Sequence, residues 1–314
     1  MAIESVNDLT EGVLKGNPAA VARAISIIEN NDPHATQIMK TVFPHTGGAV
    51  TVGITGAPGS GKSTLVNRMI GPLSEKNLGV IAVDPSSPFS GGAILGDRIR
   101  MMRQSANPDV FIRSMATRGH LGGLAKATGE ALMILEAAGK DFLLLETVGV
   151  GQDEVEVVKL ADVIVVVLIP GAGDEIQIFK AGIMEIADVF VLNKSDSPDT
   201  DRTYLHIKSL LDLGNKQGAN PEIVKTVATD GQGVSGLIQA IEVFTAGQKK
   251  ETRIKKKKAR LSWMLREIIN AKVHEKVMGD VSGFEFDEYV DRLFHRKIDP
   301  YTLADHILLR LKDR

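Results

Sequence analysis

Short apolar runs alternate with helical patterns over most of the chain after residue 50. The runs are rich in β-branched residues and read VTVGIT, VIAVD, VFIRS, FLLLE, VIVVVLI, VFVLN and EIVKTVA. Amphipathic segments such as STLVNRMIGPLSE and ALMILEAAGK lie between them. Strands that are apolar throughout are covered on both faces, which favours parallel strands joined by right-handed helical crossovers. We therefore predict a three-layer α/β domain over residues 48–247.

Helical patterns flank this domain on both sides. Apolar residues recur at helical spacing over residues 18–30, with Asn17 as the N-cap and Pro18 in the first turn, which predicts a helical extension over residues 1–47. After the domain, the basic run KKETRIKKKKAR indicates a boundary near residue 248. Three helical patterns follow it, LSWMLREIINAKV, FDEYVDRLF and PYTLADHILLRLK. We expect this arm, residues 248–314, to pack on the domain or on a second subunit, and interpret the basic residues 249–258 as a solvated linker.

Composition narrows the functional classes. The chain has 314 residues, of which 43% are apolar and 24% charged, so it can bury a large core. Its net charge of −2 does not indicate the basic surface that is typical of nucleic-acid-binding proteins. The absence of cysteine excludes disulfides, thiolate metal sites and thiol nucleophiles. The longest apolar run, residues 163–169, is far shorter than the about 18 residues of a membrane span, and the first residues do not resemble a signal peptide. We therefore expect a cytoplasmic protein with no membrane partner.

A phosphate-binding loop is the strongest chemical signal. The segment GAPGSGKS fits the pattern G-x-x-x-x-G-K-[ST] and lies between a predicted strand and a predicted helix. Backbone N–H groups in such a loop surround phosphates, and the lysine reaches the β and γ oxygens. A dinucleotide site would need G-x-G-x-x-G, which this loop does not supply. The predicted phosphate contacts are Gly56, Ala57, Pro58, Gly59, Ser60, Gly61, Lys62, Ser63 and Thr64.

A base-recognition motif follows a later strand. Asn193, Lys194 and Asp196 lie in NKSD, which resembles the N-K-x-D motif of GTPases. The Asp196 carboxylate can accept hydrogen bonds from guanine N1–H and the exocyclic amine, whereas adenine has an unprotonated ring nitrogen there. Val227, Ala228 and Thr229 come after the next strand and resemble the loop whose backbone amides contact the guanine oxygen. Together these motifs predict a GTPase.

Acidic residues between the two motifs are candidates for binding Mg²⁺ together with Ser63. Glu146 ends the apolar strand FLLLE, where a buried carboxylate is costly unless it meets a cation. Asp84 ends VIAVD and Asp97 lies in GDRIR; helix capping or a surface ion pair remains an alternative for both. Gln152 follows two glycines that suit a mobile switch. It is a candidate for orienting the attacking water, and an ordinary glutamine at a helix start is the alternative. The candidate catalytic residues are Lys62, Glu146, Gln152 and Asp97.

Several segments match a narrower family of GTPases. Residues 83–88, 91–101, 118–124, 146–152 and 173–188 resemble the methylmalonyl-CoA mutase-associated GTPases of the MeaB/ArgK type, to which the human MMAA protein is related. The resemblance implies a SIMIBI-class P-loop fold, Mg²⁺-dependent GTP hydrolysis and homodimers held through the C-terminal arm. It also implies a chaperone of an adenosylcobalamin-dependent acyl-CoA mutase that gates cofactor loading and repair without itself binding cobalamin.

The resemblance also assigns roles to individual residues. Glu146 replaces the usual Walker B aspartate, and Asp84 and Asp97 belong to the first switch. An additional switch begins at Gly171, and its residues Asp174, Glu175 and Lys180 are candidates for coupling nucleotide state to the mutase. His120, between glycines, has either a local hydrogen bond or a switch role.

Two alternative functions remain open. One is a P-loop kinase or ATPase linked to arginine and ornithine transport, against which Asn193 and Asp196 argue. The other is a metal-insertion GTPase, which would need soft or histidine-rich ligand stretches, whereas this chain has no cysteine and seven scattered histidines.

Overall fold

A computed structural model describes residues 5–84, 109–116, 123–147, 159–171, 186–214, 220–280 and 283–310. The chain forms two compact units, Met1–Arg260 and Leu261–Arg314. The division predicted from the sequence, at residues 47/48 and 247/248, stays a prediction. None of the helices in the described ranges combines the length and apolarity needed to cross a bilayer.

The first unit is built around a parallel sheet. Its strands in the described ranges are β1 (Val50–Gly56), β2 (Leu78–Asp84), β3 (Phe111–Ala116), β4 (Phe142–Thr147), β5 (Val163–Leu168), β6 (Val189–Asn193) and β7 (Glu222–Thr226). The spatial order is β3-β2-β4-β1-β5-β6-β7, and every neighbouring pair is parallel. Each strand of β4, β5 and β6 is buried throughout, which explains its continuous apolar sequence. The predicted three-layer α/β fold is confirmed.

Helices cover both faces of this sheet. On one face, α4 (Lys62–Leu73) and α7 (Val234–Gly247) pack against β1, β4 and β5 in the larger apolar core. On the other face, α6 (Thr200–Gly214) packs against β5 and β6 around Phe190 and Ile207. The same face of the sheet carries α5 (Gly123–Ala137), whose Leu135 lies next to Leu143 of β4. The phosphate loop therefore follows a strand that is fixed on both faces.

Three N-terminal helices pack with α5. They are α1 (Val6–Leu14), α2 (Pro18–Glu29) and α3 (Ala35–Val42). The predicted cap of α2 is confirmed, because Asn17 Oδ1 accepts hydrogen bonds from the N–H groups of Ala19 and Ala20 at 2.9 and 3.2 Å. Arg113 of β3 joins α2 to the sheet through an ion pair with Glu29.

The basic run is helical, not a linker. Its residues 250–258 lie in α8 (Lys250–Asp280), a helix of 31 residues that crosses the boundary between the two units. Most of the run is exposed, but Lys256 and Lys257 are half-buried. Lys257 Nζ donates to the Gly47 carbonyl at 2.5 Å. The interpretation as a solvated linker is therefore wrong for these two lysines.

Lys256 and Arg260 contact the edge at which the strands begin, which we call the amino edge. Lys256 Nζ lies 3.2 Å from both carboxylate oxygens of Asp188 and from the Asp162 carbonyl. Arg260 Nη1 donates to the Leu160 carbonyl at 2.8 Å and lies 3.6 Å from Asp162 Oδ1. The acids also accept from the strands, Asp162 from Thr51 N–H at 3.0 Å and Asp188 from Ile164 N–H at 2.9 Å.

The second unit contains the end of α8, α9 (Gly283–Phe294) and α10 (Pro300–Arg310). Met264 and Leu303 are its buried apolar residues within the described ranges. Apolar side chains four residues apart on α8 are 42–58% exposed, and these are Leu261, Leu265, Ile269 and Val273.

Candidate nucleotide-binding site

The phosphate loop connects β1 to α4 at the edge where the strands end, which we call the carboxyl edge. Gly59 and Gly61 have φ angles of 76° and 92°, a region that favours glycine. A Cβ atom on Gly61 would lie 2.3 Å from Asn193 Nδ2, and one on Gly56 would lie 2.2 Å from the Val167 carbonyl oxygen. The backbone thus approaches its neighbours too closely for a side chain at either position. The loop ends directly at the N-terminus of α4, where N–H groups are available to anions.

Lys62 is 5% exposed and is the first residue of α4, directly after this loop. Its Nζ atom donates to the Gly56 and Ala57 carbonyls at 2.9 and 3.0 Å. The loop backbone therefore places one positive charge next to the first turn of α4, where the helix dipole adds positive potential. This combination favours a polyphosphate ligand.

Ser63 and Glu146 come together beside the loop. Ser63 Oγ donates to Glu146 Oε1 at 2.5 Å, and Glu146 is 2% exposed. The contact follows from the topology, because β4 pairs with β1 and places Glu146 opposite Ile54. Hydroxyl and carboxylate oxygens are the ligand types that Mg²⁺ prefers, so this pair suits a magnesium site. The backbone of Asp84 ends the neighbouring strand β2 at the same edge.

Asn193 joins the two halves of the site. Its Nδ2 atom donates to the Ser60 carbonyl at 2.8 Å, and its Oδ1 atom accepts from Thr226 Oγ1 and from Ala228 N–H, both at 3.0 Å. The side chain is 2% exposed. Because one amide group satisfies the phosphate loop and the loop after β7, Asn193 fixes these two segments relative to each other.

Lys194 and Asp196 lie in the turn after β6. Lys194 has a φ of 57°, and both side chains are exposed. Ser195 anchors the turn, since its N–H donates to the Thr226 carbonyl at 3.0 Å and its Oγ to the Leu192 carbonyl at 2.5 Å. Asp196 has no hydrogen bond or ion pair with the described part of the chain, so its carboxylate is available to a ligand.

The loop of residues 227–229 is held by contacts that the sequence did not predict. Arg68 of α4 donates from Nε to the Ala228 carbonyl at 3.2 Å and from Nη2 to the Thr229 carbonyl. Thr226 bonds Asn193, as described above. Gly233 has a φ of 78°, and a Cβ there would lie 2.1 Å from the Lys225 carbonyl oxygen. The two glycines at residues 231 and 233 are a sequence signal that could have predicted this turn. Nothing in the sequence distinguishes Arg68.

The remaining predicted residues lie outside the described ranges, and their structural roles stay predictions. They are Asp97, His120, Gln152, Asp174, Glu175 and Lys180. The structure describes the backbone of Asp84 but not its side chain.

The fold and this site define a P-loop GTPase. The phosphate loop follows the central strand, and the N-K-x-D turn follows β6 on the same edge. The family model described as "Methylmalonyl Co-A mutase-associated GTPase MeaB" matches residues 21–282, and the chain belongs to this family. The protein is therefore a GTPase that binds guanine nucleotide.

Relatives cover most of the chain. A protein of Pyrococcus abyssi is 46% identical over an alignment of 310 residues that covers 96% of this chain and 96% of its own. The protein "GTPase ArgK" of Escherichia coli K12 is 33% identical over 287 residues, covering 88% of this chain and 86% of its own. The mouse protein "Methylmalonic aciduria type A homolog, mitochondrial" is 35% identical over 260 residues, covering 76% of this chain and 63% of its own. A crystal structure titled "LAO/AO transport system kinase" shares the fold, with a TM-score of 0.71 and 24% identity over 99% of this chain and all of the other.

Proposed function

We propose that this GTPase is a chaperone of an adenosylcobalamin-dependent acyl-CoA mutase and couples GTP binding and hydrolysis to loading, protection and repair of the mutase cofactor. The family match over residues 21–282 carries the proposal, because the family is described by its association with methylmalonyl-CoA mutase. The name of the mouse relative, which refers to methylmalonic aciduria, agrees with it. In this proposal the chaperone contacts the mutase and does not bind cobalamin itself.

The hydrolysis step uses residues on the carboxyl edge. Lys62 and the N–H groups that open α4 stabilise negative charge on the transferred phosphoryl group. Ser63 Oγ and Glu146 would hold Mg²⁺, which neutralises charge on the β- and γ-phosphates when it is bound. Within the described ranges no group of three or more His, Asp or Glu side chains is close enough to hold a metal ion. Nucleotide oxygens, water and the switch acids Asp84 and Asp97 therefore complete the site in this proposal.

The rate of hydrolysis is proposed to depend on the partner. Unassisted G proteins turn over at about 10⁻⁴ to 10⁻² s⁻¹, since their water-positioning groups are incompletely arranged. We assign the orientation of water to Gln152 and the coupling to the mutase to Asp174, Glu175 and Lys180. Lys180→Ala should therefore keep GTP binding and lose stimulation by the mutase; unchanged stimulation would remove Lys180 from the coupling path.

The second unit supports a homodimer. Four apolar side chains of α8, from Leu261 to Val273, are 42–58% exposed at a spacing of four residues. This spacing places them along one stripe of the helix, and such a stripe is typical of a face that packs against another helix. Replacing Leu265 and Ile269 by lysine should give a monomer in sedimentation experiments, and a dimer that persists would contradict this interface.

The test of the function is phosphate release from Mg·GTP and Mg·ATP with a titrated adenosylcobalamin-dependent acyl-CoA mutase from the same organism. GTP-selective release that rises with mutase concentration is the expected result. GTP hydrolysis that no mutase changes would contradict the chaperone role and leave the GTPase assignment intact. A preference for ATP would favour the kinase alternative.

An Asp196→Asn variant serves as the matched control for base recognition. The asparagine amide can donate to the 2-carbonyl of xanthine, whereas the aspartate can accept from the 2-amino group of guanine. The variant should hydrolyse XTP and bind GTP about 100-fold more weakly or worse, because a site built for hydrogen bonds strongly rejects a ligand that leaves them unpaired. Mutase stimulation of XTP hydrolysis by this variant would link the two activities to one site.

A further inference from the structure

Arg68 connects the phosphate-loop helix to the loop of residues 227–229. It lies six residues after Lys62, about 9 Å along α4 at 1.5 Å per residue. Its guanidinium group donates to two successive carbonyls, those of Ala228 and Thr229. Its Cδ atom lies 4.0 Å from where a Cβ of Gly231 would be, so the side chain stem runs along the same turn.

The backbone N–H groups of this loop can be accounted for one by one. Val227 N–H donates to the Gln232 carbonyl at 3.0 Å, and Ala228 N–H donates to Asn193 Oδ1 at 3.0 Å. Thr229 is exposed, and its N–H makes no hydrogen bond with the described part of the chain. Thr229 therefore supplies the N–H group of the three that remains for a ligand.

Arg68 acts on the peptide group that carries this N–H. The Ala228 carbonyl and the Thr229 N–H belong to one planar trans peptide, in which the two groups point in opposite directions. Fixing the carbonyl on the Arg68 guanidinium therefore fixes the direction of the N–H. A charged donor on the carbonyl also polarises the peptide and makes its N–H a stronger donor.

We propose that Arg68 is a positioning residue for guanine recognition, which orients and polarises the Thr229 N–H that donates to the O6 atom of the base. The inference rests on the proposed GTP site. In this proposal α4 positions contacts to both ends of the nucleotide. Its first turn lies at the phosphates, and Arg68 orients the N–H group that recognises the guanine oxygen.

The test measures dissociation constants for GDP and 6-thio-GDP in parallel. Sulfur in place of O6 is a weak acceptor, while the N1–H and the 2-amino group that face Asp196 are unchanged. Arg68→Ala should weaken GDP binding about tenfold and 6-thio-GDP binding less than threefold, because the lost contact is a hydrogen bond to oxygen. Arg68→Lys should recover part of the GDP affinity, since a lysine ammonium group can donate to one of the two carbonyls but lacks the planar pair of N–H donors that reaches both.

Lys76→Ala is the matched control. Lys76 lies just after the end of α4 and forms an ion pair with Glu242 of α7. Its removal therefore deletes a contact between the segment after α4 and α7 without changing a residue of the site. This control should leave both dissociation constants within twofold of the wild type. Thermal unfolding of all variants verifies the fold, and Arg68→Lys carries the comparison if Arg68→Ala does not fold.

Two results would overturn the inference. Equal weakening of GDP and 6-thio-GDP by Arg68→Ala would reduce Arg68 to a general support of the loop, and unchanged GDP binding would remove any role. In both cases the wild type still binds GDP, so the proposed function survives. A wild type that bound no guanine nucleotide would overturn the proposed function together with the inference.

Discussion

Charged side chains gather at both edges of the central sheet, but their surroundings differ. At the amino edge, Asp188 meets Lys256, and Asp162 lies beside Arg260. At the carboxyl edge, Lys62 bonds the carbonyls of its own loop. Asp196, at the same edge, is exposed and has no partner in the described ranges.

The difference separates a structural role from a ligand-binding role. Asp162 and Asp188 accept hydrogen bonds from strand N–H groups, and each also forms an ion pair, Asp162 with Arg260 and Asp188 with Lys256, so their carboxylates are satisfied within the chain. At the carboxyl edge, a guanine base would supply hydrogen-bond donors to Asp196, which has no partner in the described ranges, and phosphates would bring negative charge to Lys62, which bonds the Gly56 and Ala57 carbonyls. Substitutions at the amino edge should thus change stability, and substitutions at the carboxyl edge should change affinity.

The largest effect is expected for Lys62→Ala. Removal of the ammonium group that faces the phosphates should weaken GTP binding and slow hydrolysis by about 100- to 1000-fold, the usual cost of one preorganised electrostatic contact. The melting temperature should change by no more than a few degrees. Isothermal titration with GTP, phosphate release from Mg·GTP and a thermal unfolding scan measure the three quantities. Loss of the fold in parallel with binding would remove the proposed contrast between the edges.

Asp188→Ala should have the opposite effect. It leaves the Ile164 N–H without its acceptor and Lys256 without its carboxylate partner, although Lys256 keeps the Asp162 carbonyl; this costs about 2 kcal/mol of unfolding free energy and lowers the melting temperature by about 4–8 °C. The GDP dissociation constant should stay within twofold. Asp201→Ala is the control, because Asp201 is 88% exposed in its pair with Lys225 and such pairs contribute little. Equal destabilisation by both variants would contradict a special role for the amino edge.

The smallest effect concerns Glu136, which also lies at the amino edge. Burial raises its pKa above the ordinary value of 4.5, although the Gly47 N–H and Arg260 act in the opposite direction. The neutral carboxyl therefore stabilises the fold fully below pH 4.5, and this contribution is lost as the pH rises through the raised pKa. Glu136→Gln cannot ionise, so its melting temperature relative to the wild type should rise by about 1–2 °C between pH 4 and pH 7. A difference that does not change with pH would show that Glu136 ionises without cost in the folded state.

The sequence predicted the strands well because their signal is local. The run VIVVVLI contains β5, and the observed strand ends one residue before the predicted end. The phosphate loop was equally visible, since its glycines and lysine are consecutive. Helices α1 and α3 were not predicted individually, because their apolar patterns are short and become interpretable only when α2 and α5 cover them.

Contacts between distant residues were beyond prediction. Arg68 lies 160 residues before Ala228. From the sequence alone, it cannot be distinguished from an arginine on the solvent-exposed face of a helix. The basic run was misinterpreted for a similar reason. The carboxylate that binds Lys256 lies 68 residues earlier in the chain, so local composition showed only excess positive charge.

The three hydrogen bonds of Asn193 have a consequence for how tightly the whole nucleotide is bound. They set the spacing between the subsite for phosphate and the subsite for the base before any ligand arrives. A ligand that spans both subsites then gains a chelate effect, since binding of one end places the other at a high effective concentration. Guanosine and pyrophosphate added separately lack this linkage and would compete poorly with GDP. By fixing the distance between the two subsites, Asn193 lets the protein select a nucleotide by its length as well as by its base.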